Sequence, residues 1–453
     1  MIIKQIVTFA LLLILSKAEI IKIQLKKQTI TQLDYLQQDS NILQHGGNSR
    51  YLQQSSQGSK QNVDLANYLQ QQYSAEITIG KGKKTLQVLV DTGSSKLMLP
   101  SKNCIDNKNC KGFNAYYDCL SSDGCNTTNI EYTQNYLTGQ VNGVNVNATV
   151  GIANLSQIQQ SVLLFDESNK FTNEFSDGLL GLSVYNKDNN GSNSFVTNLY
   201  KNGVIQENMF SLYLGYKLDD SELVLGGYNS KKIDPSSKIY NHKILQNLQY
   251  DDSQKWVIPV QRIELNTFSK TLSSQNNLAI IDSSYPYLGV EQSMYQGMVD
   301  YFVKKGAKLI NNKYQIECNK TLDDIQFTIT DSDQVGRIYS LPFSFYTSNS
   351  SNTCTFLIQS YNGASNVGFV LGNAFLRRYV SIFYYSNLTV SFGQSTANPN
   401  DDYTSGLPTW AIAVIAAAAS LFSLAGGFAL YKKCKGNKNR SGLTQTMVSN
   451  TSI

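Results

Sequence analysis

Two acidic residues, Asp91 and Asp282, each end a short apolar run and are followed by small hydroxyl-bearing residues. The first stretch reads Thr85-Leu86-Gln87-Val88-Leu89-Val90-Asp91-Thr92-Gly93-Ser94-Ser95, the second Leu278-Ala279-Ile280-Ile281-Asp282-Ser283-Ser284. Branched and apolar residues in such runs suit buried strands. Gly93 permits a sharp turn that leaves Asp91 at a strand end, ringed by backbone N–H groups and hydroxyls. Taken singly, Asp-Thr-Gly is also what a solvated strand-to-loop turn looks like. Two such ends, about one domain length apart, offer another chemistry: paired carboxylates that share a proton and activate a water.

The rest of the chain must supply two halves that carry those acids. Its 453 residues leave room for two domains with real cores, plus appendages. With 41% hydrophobic and 16% charged residues the composition is globular. A formal charge of +5, with the clearest basic clusters near the two ends, argues against nucleic-acid binding. Only His45 and His242 are histidines, which argues against histidine-based catalysis or a metal centre. No cofactor is expected. Of seven cysteines, six precede the C-terminal apolar run, a usage that suits an oxidising compartment. Cys104, Cys110, Cys119 and Cys125 lack CxxC spacing and a nearby His, so disulfides are expected rather than a metal site. Cys104–Cys110 with Cys119–Cys125 is the preferred of the three possible pairings.

In order along the chain, the motifs resemble the pepsin-like aspartic proteases over roughly residues 65–395. Ser74 to Gly80 alternates apolar and polar residues and leads through Lys81-Gly82-Lys83-Lys84 into the Asp91 strand. Phe175 to Leu182 resembles the strand that closes the first active-site layer, with Asp177 structural rather than catalytic. Phe210 to Leu214 and Glu222 to Gly227 match strands bridging the lobes, and a boundary follows near Asp234-Pro235. Trp256 to Val260 and the Asp282 strand open the second lobe. Val370-Leu371-Gly372-Asn373-Ala374-Phe375-Leu376-Arg377-Arg378-Tyr379 matches the second counterpart of the Gly-Leu strand, and Phe383 to Phe392 the closing strand.

The resemblance implies a mostly β, bilobal fold: an N-terminal lobe over 67–234, a C-terminal lobe over 235–397, and a cleft between them. It implies Asp91 and Asp282 as the catalytic pair, an extended peptide or protein substrate, and an acidic working range. It places Tyr132 on a flap hairpin over the cleft, with Gly93, Ser94 and Ser284 beside the bound peptide. Cys318 and Cys354 are expected to form the second lobe's disulfide. A monomer is favoured.

Four departures stand out. Thr133 and Asn135 replace the flap glycines, and Met98 replaces the Trp that usually partners the flap Tyr. Ser284 stands where the family has glycine, and Tyr285 where a Thr or Ser cross-braces the two loops; a small deletion before Ser284-Tyr285 is another alignment. The altered loop and flap motivate an alternative reading, a catalytically inactive homologue serving as a surface peptide-binding or adhesion protein.

The ends of the chain carry addressing signals. Residues 1–18 read as a secretory signal, with Lys4, an apolar run from Phe9 to Leu15, and Ser16-Lys17-Ala18 at the cleavage site. Residues 19–66 read as a prosegment, whose basic strand Ile21 to Lys27 would cover an acidic cleft. After a juxtamembrane linker at 398–409, residues 410–431 are uncharged and long enough to span a bilayer. The cluster Lys432, Lys433, Lys435, Lys438 and Arg440 then places a tail, 432–453, in the cytoplasm. The expected topology is single-pass, type I, with lumenal or extracellular lobes. Sequons at Asn126, Asn147, Asn154, Asn190, Asn319, Asn349 and Asn387 are compatible with a secretory route.

Overall fold

The computed structural model describes residues 21–29 and 71–401, apart from 111–112, 114, 137–138, 154, 156, 170–175, 185–193, 217–219, 246–254, 273–275, 351 and 364–365. The chain is built mostly from strands, as expected. Strand Lys84–Asp91 passes from exposed at Lys84 to buried from Val88 onward, so its apolar end enters the core and takes Asp91 with it. It runs parallel to Gly178–Gly181, with Asp91 opposite Gly181. Gly178–Gly181 is antiparallel to Leu97–Pro100, which is parallel to Ile158–Asn169.

The same arrangement recurs around the second acid. Leu278–Ile281, fully buried, runs parallel to Val367–Leu371 with Ile281 opposite Leu371. Val367–Leu371 is antiparallel to Leu288–Glu291, which is parallel to Ile358–Tyr361. Two four-strand units of one topology thus deliver two carboxylates, each just beyond or at the end of a buried strand. A glycine lies beneath each acid loop. A Cβ on Gly181 would overlap the backbone of Ser95 and Lys96, and one on Gly372 the carbonyls of Tyr285 and Tyr287.

A thirteen-stranded sheet ties the two halves together. Within it, Met209–Tyr213 pairs with both Ser221–Leu225 and Tyr379–Tyr384, and Thr389–Gln394 pairs with Tyr379–Tyr384 and Tyr240–Lys243. The strand Ile21–Thr29 also belongs to this sheet, antiparallel to Ser221–Leu225 on one side and to Gln71–Ile79 on the other. Its basic composition suggests a charge-held cover over the cleft. The backbone ladder instead makes it an interior strand of the sheet.

Aromatic packing backs the junction. Phe210 stacks on Phe383 with ring centroids 4.5 Å apart, and Trp256 meets Phe383 edge-on at 5.1 Å. The Leu182 carbonyl accepts from Trp256 Nε1 at 2.9 Å and from the Tyr385 hydroxyl at 2.7 Å. Because the Leu182 N–H donates to the Asp91 carbonyl at 2.7 Å, this aromatic floor reaches the first acid's own backbone.

Disulfides join Cys104 to Cys110, Cys119 to Cys125 and Cys318 to Cys354, with Cα separations of 5.4, 5.2 and 5.0 Å. Asp177 is structural: its Oδ2 accepts from the Gln87 N–H at 2.7 Å and its own N–H donates to the Gln87 carbonyl. His242 is wholly buried, with Nδ1 2.8 Å from the Thr330 carbonyl and Nε2 2.6 Å from the Tyr339 hydroxyl, in the core of the second half. The sequon residues Asn126, Asn147, Asn319, Asn349 and Asn387 are exposed. Among the described residues no helix is long and apolar enough to cross a membrane; the apolar run 410–431, the signal 1–18 and most of 19–66 lie outside them.

Candidate active site

Asp91 and Asp282, remote in sequence, face one another. A Cβ built on Gly93 would come within 2.5 Å of Asp282 Oδ2 and 2.7 Å of its Cγ, so the Gly93 backbone lies directly against the second carboxylate. Only glycine fits there. Asp91 is 2% exposed, whereas Asp282 is half-buried.

A reciprocal brace fixes the two loops. The Thr92 hydroxyl donates to the Ile281 carbonyl at 3.0 Å and accepts from the Ser283 N–H at 2.9 Å. The Ser283 hydroxyl donates to the Val90 carbonyl at 2.8 Å and accepts from the Thr92 N–H at 3.0 Å. Four buried backbone groups are satisfied across the junction by two hydroxyls. The brace therefore does not depend on position 285, where the resemblance seeks it. Thr92→Val keeps the shape but strands the Ser283 N–H and the Ile281 carbonyl, each worth about 1–3 kcal/mol when buried unpaired. Its urea unfolding free energy is expected to fall by about 2–4 kcal/mol.

Around the first acid the donors divide. The Gly93 N–H reaches Asp91 Oδ1 at 2.7 Å and the Ser94 hydroxyl reaches Oδ2 at 2.5 Å. Around the second they converge: the Ser284 N–H and Ser284 hydroxyl both reach Asp282 Oδ1, at 2.8 and 2.7 Å. Ser284 thus supplies its own hydroxyl to the carboxylate. Tyr285 turns away, its ring against Gly289 and Tyr287 and its hydroxyl 3.3 Å from Gln359 Oε1. Its carbonyl accepts from the Asn373 N–H at 2.8 Å, which ties the loop to the strand end beneath.

Burial, and next the Asp282 carboxylate, push Asp91 up to about 7 from an ordinary 3.8. The Ser94 hydroxyl, the Gly93 N–H and the Ser284 hydroxyl act in the opposite direction and are outweighed. A buried acid that keeps its proton close to neutrality, beside a second carboxylate, is the charge state needed for water activation.

The flap position is a hairpin of Asn126–Tyr136 and Gly139–Ile152, in register with Tyr132 opposite Gly143. Tyr132 packs at the edge of a cluster that includes Met98, Leu89 and Leu179. The Lys96 ammonium lies over the Tyr132 ring, 4.1 Å from its centroid. Where the family pairs this ring with a Trp, here a cation contributes from the same loop that carries Asp91. Lys96 was missing from the sequence reading, since a lysine after Ser-Ser carries no pattern that tells its side chain's direction.

A family model for eukaryotic aspartyl protease matches residues 72–395. The chain belongs to the eukaryotic aspartyl proteases. Among its relatives, this aspartyl protease is 26% identical over 372 residues to chymosin of Bos taurus, covering 80% of this chain and 89% of that one. It is 26% identical over 344 residues to plasmepsin VIII of Plasmodium berghei (strain Anka), covering 72% and 88%. To renin of Canis lupus familiaris it is 26% identical over 355 residues, covering 75% and 83%. The matches span both acid loops and the sheet between the halves.

Proposed function

We propose that the chain is an aspartic endopeptidase in which Asp91 and Asp282 activate a water held between them. The observation that carries this reading is the hydroxyl brace between Thr92 and Ser283, which pins the two acid loops face to face. Two carboxylates this close share one proton, because ionising both would place like charges together in a partly dry site. Asp91, the deeper of the two, holds the proton, and Asp282 takes one from water as water attacks the peptide carbonyl. Asp91 then stabilises the developing oxyanion and passes its proton toward the leaving nitrogen.

Activity is expected from acid up to near neutrality, and is lost as pH rises through about 7, where Asp91 gives up its proton. The substrate is an extended peptide lying between an N-terminal lobe (67–234) and a C-terminal lobe (235–397), under Tyr132 and beside Gly93, Ser94 and Ser284. Residues 19–66 act as a prosegment, with Ile21–Thr29 holding its place in the sheet by backbone pairing. A signal at 1–18, a membrane span at 410–431 and a cytoplasmic tail at 432–453 put the lobes in the secretory lumen or outside the cell. The disulfides and exposed sequons support that route.

The test is cleavage of a quenched fluorescent peptide by the purified full chain at about pH 4–6, a range below the Asp91 transition, with and without pepstatin. Pepstatin-sensitive cleavage is expected. Peptide binding without cleavage after removal of the leader would favour the inactive, peptide-binding alternative, for which the extra side chain at Ser284 is the specific motive.

A further inference from the structure

The environments of the two acids differ at Ser284. A hydroxyl has one proton to donate, and at 2.7 Å that proton is directed to Asp282 Oδ1. Ser284 Oγ also lies within hydrogen-bonding reach of Asp91. With its proton already committed, Oγ meets Asp91 as an acceptor. No described group donates to Asp282 Oδ2, the oxygen that faces Gly93. On the other acid both oxygens are served.

We propose that Ser284 is a positioning residue that links the two carboxylates as a proton relay and holds the pair in its singly protonated state. This deepens the protease reading, on which it rests. In that state Asp91 O–H donates to Ser284 Oγ, and Ser284 Oγ–H donates to Asp282 Oδ1. Concerted transfer moves the Asp91 proton to Ser284 and the Ser284 proton to Asp282, so one net proton crosses and the serine is unchanged. Loss of the Asp91 proton leaves two carboxylates contending for one donor; gain of a second proton removes the anion the hydroxyl serves. Either departure costs a hydrogen bond, and the singly protonated state alone satisfies the whole chain. Asp282 Oδ2 is left bare to take a proton from water.

The charged and titratable neighbours do not upset this assignment. Asp91 and Asp282 face the hydroxyl directly. Tyr285 points its hydroxyl to Gln359, and the Lys96 ammonium sits over Tyr132.

The test compares the full chain with Ser284→Ala and Ser284→Thr, reading kcat/KM for a quenched fluorescent peptide against pH. Ser284→Ala is expected to narrow the active range by about one pH unit, with the alkaline limb moving to lower pH and the acid limb to higher pH. Ser284→Thr keeps the hydroxyl and the wild-type limbs. Thermal unfolding across the same pH series gives a readout free of activity: the Asp91-linked transition should move down in Ser284→Ala. Should the wild type cleave no peptide, the protease reading fails and the unfolding series alone decides the role of Ser284. Unmoved transitions in Ser284→Ala overturn the relay, even if the rate changes. An alkaline limb that moves up shows that the hydroxyl donates to Asp91, and overturns it equally.

Discussion

Peptide cleavage by the full chain falls by about 10³-fold or more when Asp282 is replaced by asparagine, and by a similar factor in Asp91→Asn. The size follows from the role: positioned proton transfer contributes about 10²–10⁴-fold to a rate, and an amide can neither take the proton from water nor return one. Loss of either partner disables the pair, so the double variant is expected to be scarcely worse than each single one. Asparagine preserves volume and leaves Thr92 and Ser283 untouched, so the brace persists. Pepstatin-protected melting and the peptide assay, run on the same preparations, separate lost chemistry from lost structure. Cleavage that persists in either variant at near wild-type rate would falsify the assignment of the pair.

The second large effect concerns stability. Asp91 titrates near 7 in the folded chain and at an ordinary 3.8 when unfolded. Its folded value is raised, so its contribution is fully present below about 3.8 and is lost as pH rises through about 7. A displacement of about three pH units corresponds to a change on the order of 4 kcal/mol. Asp91→Asn has nothing to ionise at that position. Its unfolding free energy relative to the wild type should therefore rise between about pH 4 and 8 by an amount of that order. Chemical denaturation of both chains across the pH series checks it, and parallel curves would show that Asp91 is not the buried protonated acid described here. The residue that does the chemistry is thus also one that weakens the fold at neutral pH.

What could be read from the sequence was the part set by local pattern. Apolar runs that end in Asp91 and Asp282 specify buried strands with an acid at the exit, and Gly93 marks the turn. The resemblance extends that to two related halves, and the two four-strand units repeat as it implies. The contacts across the junction were less legible. Thr92 and Ser283 look like ordinary hydroxyl residues after an acid, and only the approach of the two loops gives each a distant carbonyl and N–H. Tyr285 turns outward because Gly289 leaves room for its ring and Gln359 lies near its hydroxyl, neighbours supplied by other strands. Ser284 was legible as a departure but not as a donor, since its direction depends on that turn. The strand Ile21–Thr29 shows a related limit. A basic alternating stretch announces a strand, but not which edge it joins, because the ladder that receives it is formed by backbone groups of Ser221–Leu225 and Gln71–Ile79.

The most direct measurement is a crystal structure of the chain bound to a peptide isostere whose scissile group is replaced by a hydroxyl-bearing carbon. The isostere's hydroxyl should lie within about 3 Å of a carboxylate oxygen of both Asp91 and Asp282, with the peptide extended beneath Tyr132. An isostere bound elsewhere, or a Ser284 side chain still filling the space between the acids while the hydroxyl is held off both, would contradict the account.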